Sequence, residues 1–107
     1  MSKIRAIIKR PDEKYGHVTY ISNTLKNLQN TVGGPIETVP VGTSAVLICN
    51  EEGKIKGLPV NFRMGEPPFA DIICGDVAVV GVDGEEFGDL QMDFGIWKEL
   101  LGRWGNV

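Results

Sequence analysis

Ser22-Asn-Thr-Leu-Lys-Asn-Leu-Gln-Asn-Thr-Val-Gly-Gly-Pro35 decides the fold class, because it sets one well-bounded helix among segments that read as strands. Ser22 or Asn23 supplies an N-cap, a side-chain oxygen for the first unpaired amides of a helix. Leu25, Leu28 and Val32 then recur at i, i+3 and i+7, which places them on one helical face. Gly33-Gly34 stops the helix where a positive φ carries no steric cost, and Pro35 cannot continue it.

On the N-terminal side, Lys3–Lys9 alternates so that Ile4, Ala6 and Ile8 share a face, the pattern of a half-buried strand with its lysines and arginine turned to solvent. Pro11, Asp12 and Glu13 break the pattern, Lys14-Tyr15-Gly16 turns the chain, and His17–Ile21 completes a hairpin. On the C-terminal side, Ile36–Val41 reads as a short strand limited by Pro40. Ser44–Asn50 is a near-continuous apolar run of strand length, as expected of an interior strand. Lys54–Leu58 alternates again after Glu51-Glu52-Gly53 and predicts a second hairpin. Pro59–Phe69 reads as a loop, and Ile72–Val82 as a second buried strand bent at Gly75. Phe94, Trp97, Leu101 and Trp104 give a C-terminal helix its apolar stripe. The order β-β-α-β-β-β-β-α predicts one α+β domain over residues 1–107, a mostly antiparallel curved sheet of about five to six strands with two helices.

The 107 residues are 42% hydrophobic and 23% charged, an ordinary globular balance. With 14 acidic against 11 basic residues the net charge is −3. That disfavours a nucleic-acid binder, whose affinity comes from clustered cations neutralising phosphates. No run approaches the ~20 apolar residues of a membrane span, and Met1 to Arg5 leads into a strand rather than a leader core. Cys49 and Cys74 lie in apolar runs, as reduced thiols of a cytoplasmic protein do.

Catalytic sets are missing from the sequence. His17 is the single histidine, and a nucleophilic triad would have to use it. Glu51-Glu52 and Glu85-Glu86 are neighbours on turns, where nothing separates two carboxyl pKa values for acid–base work. The glycines end a helix instead of opening one, so they form no phosphate loop. No cysteine–histidine spacing suits a metal. The expectation is a protein without enzymatic activity, cofactor or metal. A binding set does remain. Asn61, Arg63 and Gly65 sit in the Pro59–Phe69 segment beside Phe62 and Phe69, with Asn50 at the other end of the intervening hairpin. Arg63 offers planar, permanently charged donors to an anionic ligand, and Asn50 and Asn61 could add amides to one rim. The alternative is a loop tied down by its own polar groups, with both phenylalanines in the core.

Three stretches carry a resemblance. They are Ile21-Ser-Asn-Thr-Leu25 through Leu28-Gln29 to Val32-Gly-Gly-Pro-Ile-Glu37, then Leu47-Ile-Cys-Asn-Glu-Glu-Gly-Lys54 with Gly57-Leu-Pro-Val-Asn61, and finally Asp71-Ile-Ile-Cys-Gly-Asp76 with Val79-Val-Gly81. Over most of its length the chain resembles the family known as domain of unknown function 3846, small proteins of bacteriophages, plasmids and Gram-positive bacteria. The resemblance assigns no activity and transfers no catalytic residue. It implies a mobile-element setting and, with the missing catalytic set, a counter-defence protein that sequesters a nucleotide-derived small molecule in the host cytoplasm. Such a protein is expected to be a homo-oligomer with Asn50, Asn61 and Arg63 at its ligand site. The other reading is an inhibitor or adaptor that binds a host protein through the acidic Asp83–Asp93 segment or a sheet edge.

Overall fold

Alternating side chains at the N-terminus build β1 (Lys3–Lys9), which turns at Gly16 (φ 84°) and pairs in antiparallel register with β2 (His17–Ser22). The computed structural model describes residues 3–106; Met1 and Ser2, at the head of the run read for a leader, lie outside them. The helix α1 (Leu25–Val32) starts one or two residues later than expected. Thr24 is its cap, with Oγ1 accepting the Asn27 amide at 3.1 Å, because Ser22 still belongs to β2 and the Asn23 amide donates to the Phe87 carbonyl at 2.9 Å. Gly33 closes the helix at φ 82°. Leu28 and Val32 are buried, whereas Leu25, at the first turn, is exposed.

The chain continues through β3 (Ile36–Val41), β4 (Ala45–Asn50), β5 (Val60–Met64), β6 (Asp71–Cys74), β7 (Val77–Asp83), β8 (Glu86–Gly88) and α2 (Phe94–Arg103). The main sheet is six-stranded and antiparallel, in the order β2-β1-β7-β4-β3 with β8 paired to β7. β5 and β6 form a separate antiparallel pair. The α+β class, the antiparallel sheet and the interior strand at Ser44–Asn50 are as the sequence predicts.

Three local expectations are corrected. Lys54–Leu58 is no strand: Lys56 N–H bonds the Glu52 carbonyl at 2.9 Å and Leu58 N–H the Gly53 carbonyl at 3.0 Å. These short-range bonds satisfy the backbone in turns, and Ile55 is left 89% exposed. Second, the first half of the loop expected over Pro59–Phe69 is strand, since Val60–Met64 finds its partner in β6. Third, the run Ile72–Val82 is divided at Gly75, whose φ of 83° lets the chain leave the small sheet and enter the large one as β7.

Both faces of the large sheet are covered, which is why β4 and β7 read as apolar runs. On one face α1 lays Leu28 and Val32 over Ile4, Ala6, Ile8, Ile48, Ala78 and Val80. On the other, β5–β6 and α2 bury Phe62, Ile73, Trp97, Leu101 and Trp104 against Ile7, Leu47, Val77 and Val79. One helix thus packs on each face. Gly81 belongs to this packing: any Cβ there would run into the Asp89 carbonyl oxygen.

Candidate functional site

The three residues expected to meet at one rim are each engaged inside the fold. Asn50, at the end of β4, is 5% exposed; its Nδ2 donates to the Val32 carbonyl at 3.2 Å and its Oδ1 accepts the Glu52 amide at 2.8 Å. It therefore ties the end of α1 to the turn after β4. Asn61, at the irregularity in β5, donates Nδ2 to the carbonyls of Lys9 and Gly75, both at 2.8 Å, and so fastens the small sheet to the large one. Arg63 Nε donates to the Trp104 carbonyl at 3.0 Å, while its backbone amide and carbonyl exchange bonds with the Asn106 side chain at 2.8 Å each.

Asn50 and Asn61 line different cavities, and Arg63 lines neither of these two. The single rim expected from Asn50, Asn61 and Arg63 is corrected accordingly: the hairpin that was to bring the two amides together does not form. Of the two phenylalanines, Phe62 is buried at 2% exposure and Phe69, at the tip of the β5–β6 connection, is 90% exposed.

The cavity beside Asn50, about 270 Å³, is walled by Cys49, Cys74, Lys54 and Asp71. Both cysteines are free thiols. Burial, reinforced by the Glu37 and Asp71 carboxylates, pushes the Cys49 thiol up to about 11. It is protonated at neutral pH, whereas the thiolate is the nucleophile. Iodoacetamide near neutral pH is expected to leave Cys49 unlabelled in the native protein and to label it after denaturation. Rapid labelling of the native thiol, read by peptide mass spectrometry, would refute this assignment.

A groove of about 530 Å³ lies between α1 and β2. Arg10, His17 and Thr19 line it from the first hairpin, Asn30 and Thr31 from the helix, and Asp76 from the turn before β7. Arg10 approaches Asp76 at 3.7 Å and Glu13 at 3.9 Å, distances beyond a hydrogen bond, and its side chain is 55% exposed. Its planar donors remain able to grip an anion. His17 Nδ1 stands 2.9 Å from Glu13 Oε2. The contact with His17 and the amide of Arg10 hold the Glu13 carboxyl below its ordinary range against the opposing effect of burial. This site was missed because strand alternation gives no sign of which helix residues will face which strand.

The acidic C-terminal segment is divided in use. Asp89 Oδ1 accepts the Arg5 amide at 2.7 Å and Asp93 caps α2, while Asp83, Glu85 and Glu86 are exposed around the β7–β8 turn. Among the described residues no group of three or more histidine, cysteine or acidic side chains could hold a metal, and no helix is long and apolar enough to cross a membrane.

The profile of a family described as domain of unknown function (DUF3846) matches residues 4–101. No curated protein and no solved structure matches the chain.

Proposed function

The chain belongs to the family described as domain of unknown function (DUF3846), and from that premise we propose that it is a non-enzymatic protein that binds and sequesters a small anionic molecule of the nucleotide class. The α1–β2 groove is the site. One observation carries the reading: Arg10 opens into a polar groove with its guanidinium only loosely paired. A phosphate group would take bidentate bonds from Arg10, and His17 would add a second donor. Thr19, Asn30 and Thr31 offer hydroxyl and amide partners for a sugar or base. The mobile-element setting implied by the sequence resemblance gives such binding a use, counter-defence by removing a host signal without altering it. β2 and β3 lie at the two edges of the main sheet, which suits assembly into a homo-oligomer.

Heating the purified protein and analysing released small molecules by mass spectrometry tests the reading. A nucleotide in the released fraction is expected. Arg10→Ala is expected to leave the melting temperature almost unchanged and to weaken nucleotide binding about tenfold or more, since a charge-assisted bond contributes roughly 1.5–3 kcal/mol. Calorimetry against a panel of mono- and dinucleotides in which none binds, or in which Arg10→Ala binds equally well, would overturn the assignment. A second reading rests on the exposed Asp83, Glu85 and Glu86 and on Tyr20, 61% exposed on the edge strand β2. It is a protein-binding adaptor, and a stoichiometric co-purifying protein in place of a nucleotide would favour it.

A further inference from the structure

Alternation assigns Lys9 to the solvent side of β1, yet the structure buries it to 3% exposure. The reason is that β1 lies inside a sheet covered on both faces, so its second face is also interior. Lys9 Nζ donates to Asn61 Oδ1 at 2.6 Å and to the Arg10 carbonyl at 3.4 Å, and stands 5.6 Å from the centre of the Phe62 ring. All three partners are neutral. Among the described residues no carboxylate is in ion-pairing distance of it. The nearest acids, Asp12 and Glu13, lie in the turn after β1, and Glu13 is already committed to the Arg10 amide at 3.1 Å and to His17 at 2.9 Å.

Buried charges are paired in folded proteins, or they neutralise. Here Lys9 borders a cavity of about 320 Å³, lined also by Asp12, Glu13, Asn61, Phe62 and Asn106. We propose that this cavity is a second binding site, specific for a single carboxylate group whose charge completes the environment of Lys9. Asn106 and Phe62 border the same space. Asp12 and Glu13, which line the same cavity, disfavour ligands of higher negative charge, and this selects a monoanion. The cavity is separate from the α1–β2 groove, because Lys9 and its neighbour Ile8 point to opposite faces of the sheet, and Glu13 links the two through its bonds to the Arg10 amide and to His17.

Burial lowers the Lys9 ammonium below the ordinary lysine value, against the attraction of Glu13 and Asp12. The sign of its pH dependence follows. Below the lowered folded value both folded and unfolded states carry the proton, and the cost of burying the charge is fully present. As pH rises from that value toward the unfolded one, the folded state sheds its proton first and this cost is relieved. A bound carboxylate reverses the shift by favouring the charged form.

Acetate is the probe. In protein labelled with ¹³C at lysine Cε, titration with sodium acetate at constant ionic strength is expected to give a saturable shift of the Lys9 signal and to raise its titration midpoint. Lys9→Met keeps the length of the side chain and removes the charge. It is expected to fold and to lose about tenfold or more of the acetate affinity, followed through the amides of Asn61 and Phe62. A Lys9 signal indifferent to acetate, or an equal response of the Asn61 and Phe62 amides in Lys9→Met, would overturn the site. The Lys9 signal is read in the unaltered protein, so the result stands even if the variant folds poorly.

Discussion

Ile48→Lys is expected to give a chain that does not fold. Ile48 is fully buried in β4, between Thr38 of β3 and Ala78 of β7, and packs among Ile8, Leu28, Val32 and Val80. A lysine there would lose the packing of the isoleucine and bring an ammonium among apolar side chains with no carboxylate in the cluster. Removing a buried aliphatic side chain costs about 2–5 kcal/mol, and an uncompensated buried charge several kcal/mol more. A domain of this size has about 5–15 kcal/mol in total. Circular dichroism and a proton–nitrogen correlation spectrum decide the matter: loss of a cooperative melt and of dispersed amide signals is expected. A soluble, cooperatively melting Ile48→Lys would contradict the interior placement of β4. Val46→Lys is the matched control; that residue is only half-buried, so a lysine there can carry its ammonium toward water and the expected loss is smaller.

Trp97→Ala is expected to lower stability by about 3–5 kcal/mol, the usual cost of deleting a fully buried aromatic side chain. Trp97 has no exposed surface and sits edge-on to both Phe62 (5.7 Å) and Trp104 (6.0 Å), which are themselves stacked at 6.2 Å. Its Nε1 donates to the Tyr15 carbonyl at 2.8 Å, so the deletion also leaves that acceptor unpaired. At ~4–8 °C per kcal/mol for a domain of this length, the melting temperature should fall by roughly 12–40 °C. Trp97→Phe keeps a ring in place and loses the hydrogen bond, with an expected cost of only about 1–3 kcal/mol. Thermal melts of the two variants separate packing from hydrogen bonding. A fall of a few degrees in Trp97→Ala would mean that α2 and the small sheet contribute little to the core. Because Phe62 forms a wall of the Lys9 cavity, Trp97→Ala should also weaken acetate binding there.

The candidate sites were less legible than the fold, and Arg63 and Lys9 make the reason plain. Arg63 read as a free cation in a flexible segment. In the structure its partners are Trp104 and Asn106, more than forty positions along the chain, and nothing near Arg63 in sequence announces them. Lys9 erred in the opposite direction: a lysine that alternates with Ile4, Ala6 and Ile8 looks solvated unless the far face of the sheet is known to be covered. Asn50 and Asn61 were recognised as polar residues with a task. That task proves to be joining α1 to β4 and the small sheet to β1.

The sequence by itself determined what depends on near neighbours. The turn at Gly16, the helix that stops at Gly33, the apolar runs of β4 and β7 and the stripe of α2 each follow from side-chain period and backbone freedom within a dozen residues. The tertiary structure alone decided which surfaces meet. It split Asp71–Asp83 between two sheets at Gly75, gave β5 its partner, and set α2 opposite α1. It thereby turned the second face of β1 from surface into interior. Local pattern gives the period of an element but not the number of its faces that will be covered. Coverage is settled by burial of the whole chain at once, and it left Lys9 buried and Arg10, one residue on, lining an open groove.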